Sequence, residues 1–126
     1  MCGIVGYIGE REAQNILVAE LKRLEYRGYD SAGIVTLSDS AKPTLLRAKG
    51  KVAALEELVG QHKANDTVGI GHTRWATHGE PSKRNAHPHH VGDIYLVHNG
   101  IIENYQDLKT MLIGHEYEFK SDTDSE

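Results

Sequence analysis

The sequence predicts an α+β or layered α/β fold rather than a doubly wound sheet, because early strands, helices and hairpins are mixed along it. Three observations carry that prediction. An apolar run bounded by glycines opens the chain, an amphipathic helical pattern follows, and a strand, turn and strand come next. At 126 residues the chain holds one domain with a modest core.

Ile4-Val5-Gly6-Tyr7-Ile8 reads as a buried strand. From Glu10 to Arg27, Ala13, Ile16, Leu17, Leu21 and Leu24 recur at helical spacing with charges between them. Gly28 stands where a helix C-terminus would use it, with Arg23 and Arg27 in the last turn. Ala32 to Leu37 is a second strand, Ser38 to Pro43 a turn, and Thr44 to Ala48 the hairpin partner. Val52 to Val59 suggests a short helix. Thr67 to His72 is a further strand, too rich in glycine for a helix. Thr73 to Asp93 is polar and aperiodic, a length of loop that is usually functional or disordered. Its Arg74, Trp75, Thr77, His78 and His87 favour function. Ile94 to Val97 reads as a strand, Ile102 to Ile113 as a helix, and Tyr117 to Phe119 as the start of one more strand.

Composition narrows the function. Apolar residues make up 39% and charged residues 25%, as in soluble globular proteins. A net charge of -4 without any basic run argues against nucleic acid or an anionic membrane as partner. No apolar stretch reaches membrane-spanning length, and the N-terminus lacks a secretory pattern. A lone cysteine excludes an internal disulfide and is consistent with a reducing compartment, so cytoplasm is the default expectation.

That cysteine is residue 2, directly behind the initiator methionine. A small second residue is what methionine removal requires, so Cys2 can become a true N-terminus carrying a thiol and a free α-amine. The thiolate is the nucleophilic form, and an amine of pKa roughly 7.7–8.0 can take its proton, directly or through one water. The plainer alternative is a small buried residue starting a strand. Arg74 could hold a substrate carboxylate in a bidentate fork, although a surface ion pair is the commoner fate of an arginine. His98-Asn99-Gly100 offers a side-chain and a backbone N–H side by side, the parts of an oxyanion hole, or else a plain Asn-Gly turn. Ser121-Asp122-Thr123-Asp124 offers carboxylates to an ammonium group, or else a helix N-cap. Together these are the parts needed to attack an amide. His87, His89 and His90 crowd together, but no cysteine or second histidine pair stands at ligand spacing, so no metal site is expected.

The opening Cys2-Gly3-Ile4-Val5-Gly6 resembles the start of the class II glutamine amidotransferases. Leu24-Glu25-Tyr26-Arg27-Gly28-Tyr29-Asp30-Ser31-Ala32-Gly33 is similar to the branch that makes glucosamine 6-phosphate from fructose 6-phosphate. The amidophosphoribosyltransferase branch would typically show His-Arg-Gly-Gln-Asp there, and asparagine synthetase Arg-Gly-Pro-Asp. Thr73 to Pro81, Asn85 to His89, His98 to Asn104 and Ser121 to Asp124 fit the same branch, whereas Ser125-Glu126 departs slightly from its Thr-Glu.

The resemblance implies an N-terminal-nucleophile (Ntn) hydrolase fold, a four-layer αββα sandwich, and glutamine as substrate. It implies Cys2 as nucleophile, Asn99 and the Gly100 N–H as oxyanion donors, Arg74 for the substrate carboxylate and Asp124 for its ammonium. Thr77 and His78 would line and close the pocket, Trp75 would gate the passage of ammonia, and Arg27 would support the N-terminal region. No cofactor is implied. The family's glutaminase domain is longer than this chain, so residues 1–126 are expected to be its N-terminal portion. The sugar-isomerase domains that bind fructose 6-phosphate would lie beyond, in a parent that forms homo-oligomers. An inactive fragment and a sibling amidotransferase are the alternatives.

Overall fold

The computed structural model describes residues 2–39, 42–76 and 79–126. In chain order the elements are β1 (Gly3–Ile8), α1 (Ala13–Leu24), a 3-10 turn (Glu25–Arg27), β2 (Ser31–Leu37), β3 (Thr44–Lys49) and α2 (Val52–Gln61). These are followed by β4 (Val68–Arg74), β5 (His89–Val91), β6 (Ile94–Leu96) and α3 (Tyr105–Gly114). The fold is α+β. Four strands form one antiparallel sheet in the order β1-β4-β2-β3, and β5 and β6 form a separate hairpin.

Alternation along the strands assigns the two faces of the large sheet. Gly69 and Gly71 of β4 lie under Leu17 and Leu21 of α1. Ala32, Ile34 and Leu46 join Ala13, Leu17, Val18 and Leu21 of α1 and Val52, Leu55 and Val59 of α2 in one buried cluster. Two helices packed on one face thus make the core, and burying each such side chain contributes about 1.5–3 kcal/mol. Buried Gln14 ties the helices together, donating to the His62 carbonyl at 3.0 Å and accepting the Ala64 N–H at 3.0 Å. Asp66, also buried, accepts the Thr36 hydroxyl at 2.7 Å.

The opposite face is covered unevenly. Near the end where β1 starts and β4 finishes, the segment from Asn85 to His89 lies on it. Ala86 accepts from Arg47 of β3, and the His87 carbonyl sits so close to Gly33 that a Cβ there would be 1.9 Å away. Elsewhere the face is open: Ile8 and Leu37 at the other end are 82% and 40% exposed, and Ile4 on the edge strand β1 is 45% exposed. α3 buries no residue, and Met111 and Ile113 face solvent. Among the described residues no helix is long and apolar enough to cross a membrane.

Three expectations need correction. The first helix ends at Leu24 and tightens into a 3-10 turn, and Gly28 is not its left-handed cap. Gly28 instead permits close approach, since a Cβ there would lie 2.9 Å from the Arg74 carbonyl. The polar stretch before Ile94 contains a strand, β5, which forms a tight hairpin with β6 across Gly92 and Asp93. Tyr117 to Phe119 is not a strand, because no described strand lies beside it. The Tyr117 N–H caps α3 by donating to the Leu112 carbonyl, after a positive-φ residue at Glu116.

Candidate active site

The start of β1 and the end of β4 are neighbours in register, Gly3 opposite Thr73, so pairing alone sets Cys2 beside Arg74 and Trp75. The Gly3 N–H donates to the Thr73 hydroxyl at 3.2 Å and pins this end. The Trp75 N–H donates to Cys2 Sγ at 3.2 Å, and the thiol can return a proton towards the Trp75 carbonyl at 3.6 Å.

Asn99 arrives from 97 residues away: its Nδ2 donates to the Cys2 carbonyl at 2.8 Å. Arg27 Nε donates to the same carbonyl at 3.3 Å, so the backbone of Cys2 is held from two sides. Asp30, next to the turn that carries Arg27, accepts the Ala76 N–H and fixes the chain just after Trp75. Asp124 Oδ2 accepts the Ile102 N–H at 2.8 Å, which ties the C-terminal segment to the chain after Gly100.

The structure therefore gathers Cys2, Arg74, Trp75, Gly100 and Asp124 around one cleft, with His87, His98 and Ser125 also in its wall. The space left is about 10 Å³, no more than one water needs. Arg74 is buried, and its guanidinium donates to the carbonyls of Gly79 and Glu80 at 2.8 and 3.1 Å. Trp75 stands half out of the surface. Thr77 and His78 lie outside the described residues.

Sequence reasoning gave no role to His72, which lies on the same face of β4 as Arg74. Their two-residue spacing was the available signal. The His72 ring stacks on His87 at 4.0 Å between centroids, and His87 meets His89 edge-on at 4.6 Å. Burial is the main cause that lowers all three pKa values, to about 4 for His72, about 2 for His87 and about 4 for His89. Neighbouring histidines and the Arg74 charge add to it at His72 and His87, while at His89 Arg47 and Arg74 add to it against Glu126 and Asp124. These imidazoles are neutral at pH 7. His90 turns outward and stacks on Tyr95. Among the described residues no group of three His, Cys, Asp or Glu side chains is placed to hold a metal ion.

A family model described as a glutamine amidotransferase domain matches residues 57–126. Isomerizing glutamine–fructose-6-phosphate aminotransferases from Chlorobaculum tepidum, Bacteroides thetaiotaomicron and Clostridium acetobutylicum are 62%, 58% and 56% identical to the chain. Each match takes in 100% of this chain but 21% of the relative, so the chain spans about a fifth of their length. A solved glutamine phosphoribosylpyrophosphate amidotransferase from B. subtilis, complexed with ADP and GMP, superimposes with a TM-score of 0.79 at 29% identity. That match covers 98% of this chain and 27% of the other. A structure of the allosteric regulatory enzyme of purine biosynthesis gives 0.80 at 28% identity, over 96% of this chain and 27% of that one. With its N-terminal cysteine cleft and a family match over more than half its length, the chain belongs to the glutamine amidotransferase domain family.

Proposed function

We propose that the chain is the front part of the glutaminase domain of an isomerizing glutamine–fructose-6-phosphate aminotransferase, with Cys2 as nucleophile. One observation carries the reading: Asn99, an amide donor from a distant segment, reaches Cys2 at 2.8 Å. The 53–62% identities of its curated relatives favour this branch over the phosphoribosyl branch, whose solved structures are 28–29% identical.

In this proposal Met1 is removed and the freed α-amine of Cys2 takes the thiol proton. The thiolate attacks the side-chain amide carbon of glutamine. The resulting oxyanion is held by the second N–H of Asn99 Nδ2 and by the Gly100 N–H. The tetrahedral intermediate collapses, the amine-held proton passes to the leaving nitrogen, and ammonia departs from a γ-glutamyl thioester. Water then attacks the thioester through a second oxyanion and releases glutamate and the thiol. Arg74 takes the substrate carboxylate and Asp124 its ammonium, while Thr77 and His78 line and close the pocket. Trp75 gates the ammonia, and Arg27 holds the Cys2 backbone. The ammonia serves to convert fructose 6-phosphate to glucosamine 6-phosphate in domains beyond this chain. The parent works as a cytoplasmic homo-oligomer without nucleic-acid or membrane partners.

The test is Cys2→Ala in the complete gene product. Glutamine hydrolysis should vanish while ammonia-independent steps on the sugar persist. Near wild-type glutaminase turnover in that variant would refute the assignment.

A further inference from the structure

We propose that His72 and His87 are positioning residues that hold Asn99 and Gly100 against Cys2 by gripping the backbone of His98 at its N–H and its carbonyl. The inference rests on the glutaminase reading above and adds to it the support of the oxyanion donors.

β6 ends at Leu96, so residues 97–100 belong to no strand and have no ladder to hold them. The two backbone groups of His98 go to side chains instead. Its N–H donates to His87 Nδ1 at 3.3 Å, and its carbonyl lies 3.0 Å from His72 Nε2. A carbonyl only accepts, so His72 carries its proton on Nε2. His87 Nδ1 must accept, so His87 also carries its proton on Nε2. Burial keeps both rings neutral, which leaves each in the tautomer with its proton on Nε2. A protonated His87 would set one N–H against another.

The grip is mounted on an interior strand of the large sheet. His72 belongs to β4, two residues before Arg74, and His87 is stacked flat on it with 13° between the ring planes. Behind His87, its own carbonyl rests on Gly33 of β2. His89 braces the stack from the edge and is held through Nε2 by the Thr123 hydroxyl at 2.9 Å. The next residue after the gripped one is Asn99, whose amide reaches Cys2. A shift of His98 thus moves the oxyanion donors relative to the sulfur.

One atom separates this device from ordinary core packing. Among the described residues His72 Nδ1 is buried with no hydrogen-bond partner. Such an atom costs stability, and an apolar ring of similar shape would avoid it. Histidine at this position is explained by what its other nitrogen does.

The experiment measures kcat and KM for glutamine hydrolysis by the complete gene product, its His87→Phe variant and its His87→Asn variant. Phenylalanine keeps the stacked ring and loses the acceptor, whereas the asparagine carbonyl can stand where Nδ1 stood. Misplacing a catalytic group by about 1 Å can cost about 10²-fold. His87→Phe should therefore lose kcat by about that factor with little change in KM, and His87→Asn should recover most of it. The same pattern is expected of His72→Phe and His72→Gln, where glutamine restores a donor at the Nε2 position, and this pair decides if His87→Phe does not melt cooperatively. Wild-type kcat in the Phe variants, a loss confined to KM, or isosteres no better than phenylalanine would overturn the proposal. Absence of glutaminase turnover in the unmodified protein would overturn the parent reading itself, and this inference with it.

Discussion

Replacing Asn99 by alanine separates what this residue does for the fold from what it does for the reaction. In the resting structure its amide donates to the Cys2 carbonyl at 2.8 Å, at an exposed position. That carbonyl keeps the Arg27 bond at 3.3 Å after the substitution, so no acceptor is orphaned. The stability loss is then that of one hydrogen bond, about 0.5–1.5 kcal/mol, and exposure places it at the lower end. The rate loss should be much larger. In the proposed mechanism the second amide N–H holds the oxyanion, and removing such a donor costs about 10²–10³ in kcat, or about 2.7–4 kcal/mol. The assay is glutamate release by the complete gene product across glutamine concentrations, alongside a thermal melt. The expected result is kcat down by about 10²–10³, KM little changed, and a melting temperature lowered by no more than a few degrees. A pure KM effect would place Asn99 in ground-state binding and refute the oxyanion role.

Four further outcomes are expected. Mass spectrometry of an active preparation should show Met1 absent, and full activity with Met1 retained would remove the α-amine from the mechanism. Gly33→Val should destabilise the protein by about 1–3 kcal/mol, because backbone lies 1.9 Å from the new Cβ and can only shift as a segment; an unchanged denaturation midpoint would contradict the packing described. Stability should fall as pH drops from about 6.5 towards 4, since the unfolded chain binds protons at His72 and His89 that the folded one refuses until about 4. A melting temperature flat between pH 6.5 and 5, where carboxylates barely titrate, would show those rings already charged. Residues 1–126 expressed alone should be poorly stable and essentially inactive, given the open Ile4, Ile8 and Leu37 face and the uncovered α3. A cooperatively melting monomer with parent-like turnover would show a self-sufficient domain.

Local signals revealed the parts of this fold whose contacts are local. The β2–β3 hairpin and α1 follow from apolar periodicity, and Cys2 from its place behind Met1. β5 was missed because three residues, His89 to Val91, are too few to show alternation. The Gly92-Asp93 pair, with Gly92 at φ 57, was its one readable mark as a two-residue turn. The extra strand at Tyr117 to Phe119 was read from composition alone, and strands exist only beside partners. The histidine stack was not legible for a different reason: His72 and His87 meet only after a loop returns across the sheet, and no spacing encodes that. Arg74, Asn99 and Asp124 were picked out as residue types suited to the task, but only the fold brings their segments to Cys2.

Arg74 has a consequence for binding and for the chain that follows it. Its guanidinium already serves the Gly79 and Glu80 carbonyls, and the cleft beside it has no room for an amino acid. In the proposed function a substrate carboxylate would dock on the same guanidinium through its remaining N–H groups, so one side chain would carry both the substrate's charged end and the chain at Gly79 and Glu80. A substitution at Arg74 would then be felt at both ends at once, as weaker glutamine binding and as a looser segment after Trp75.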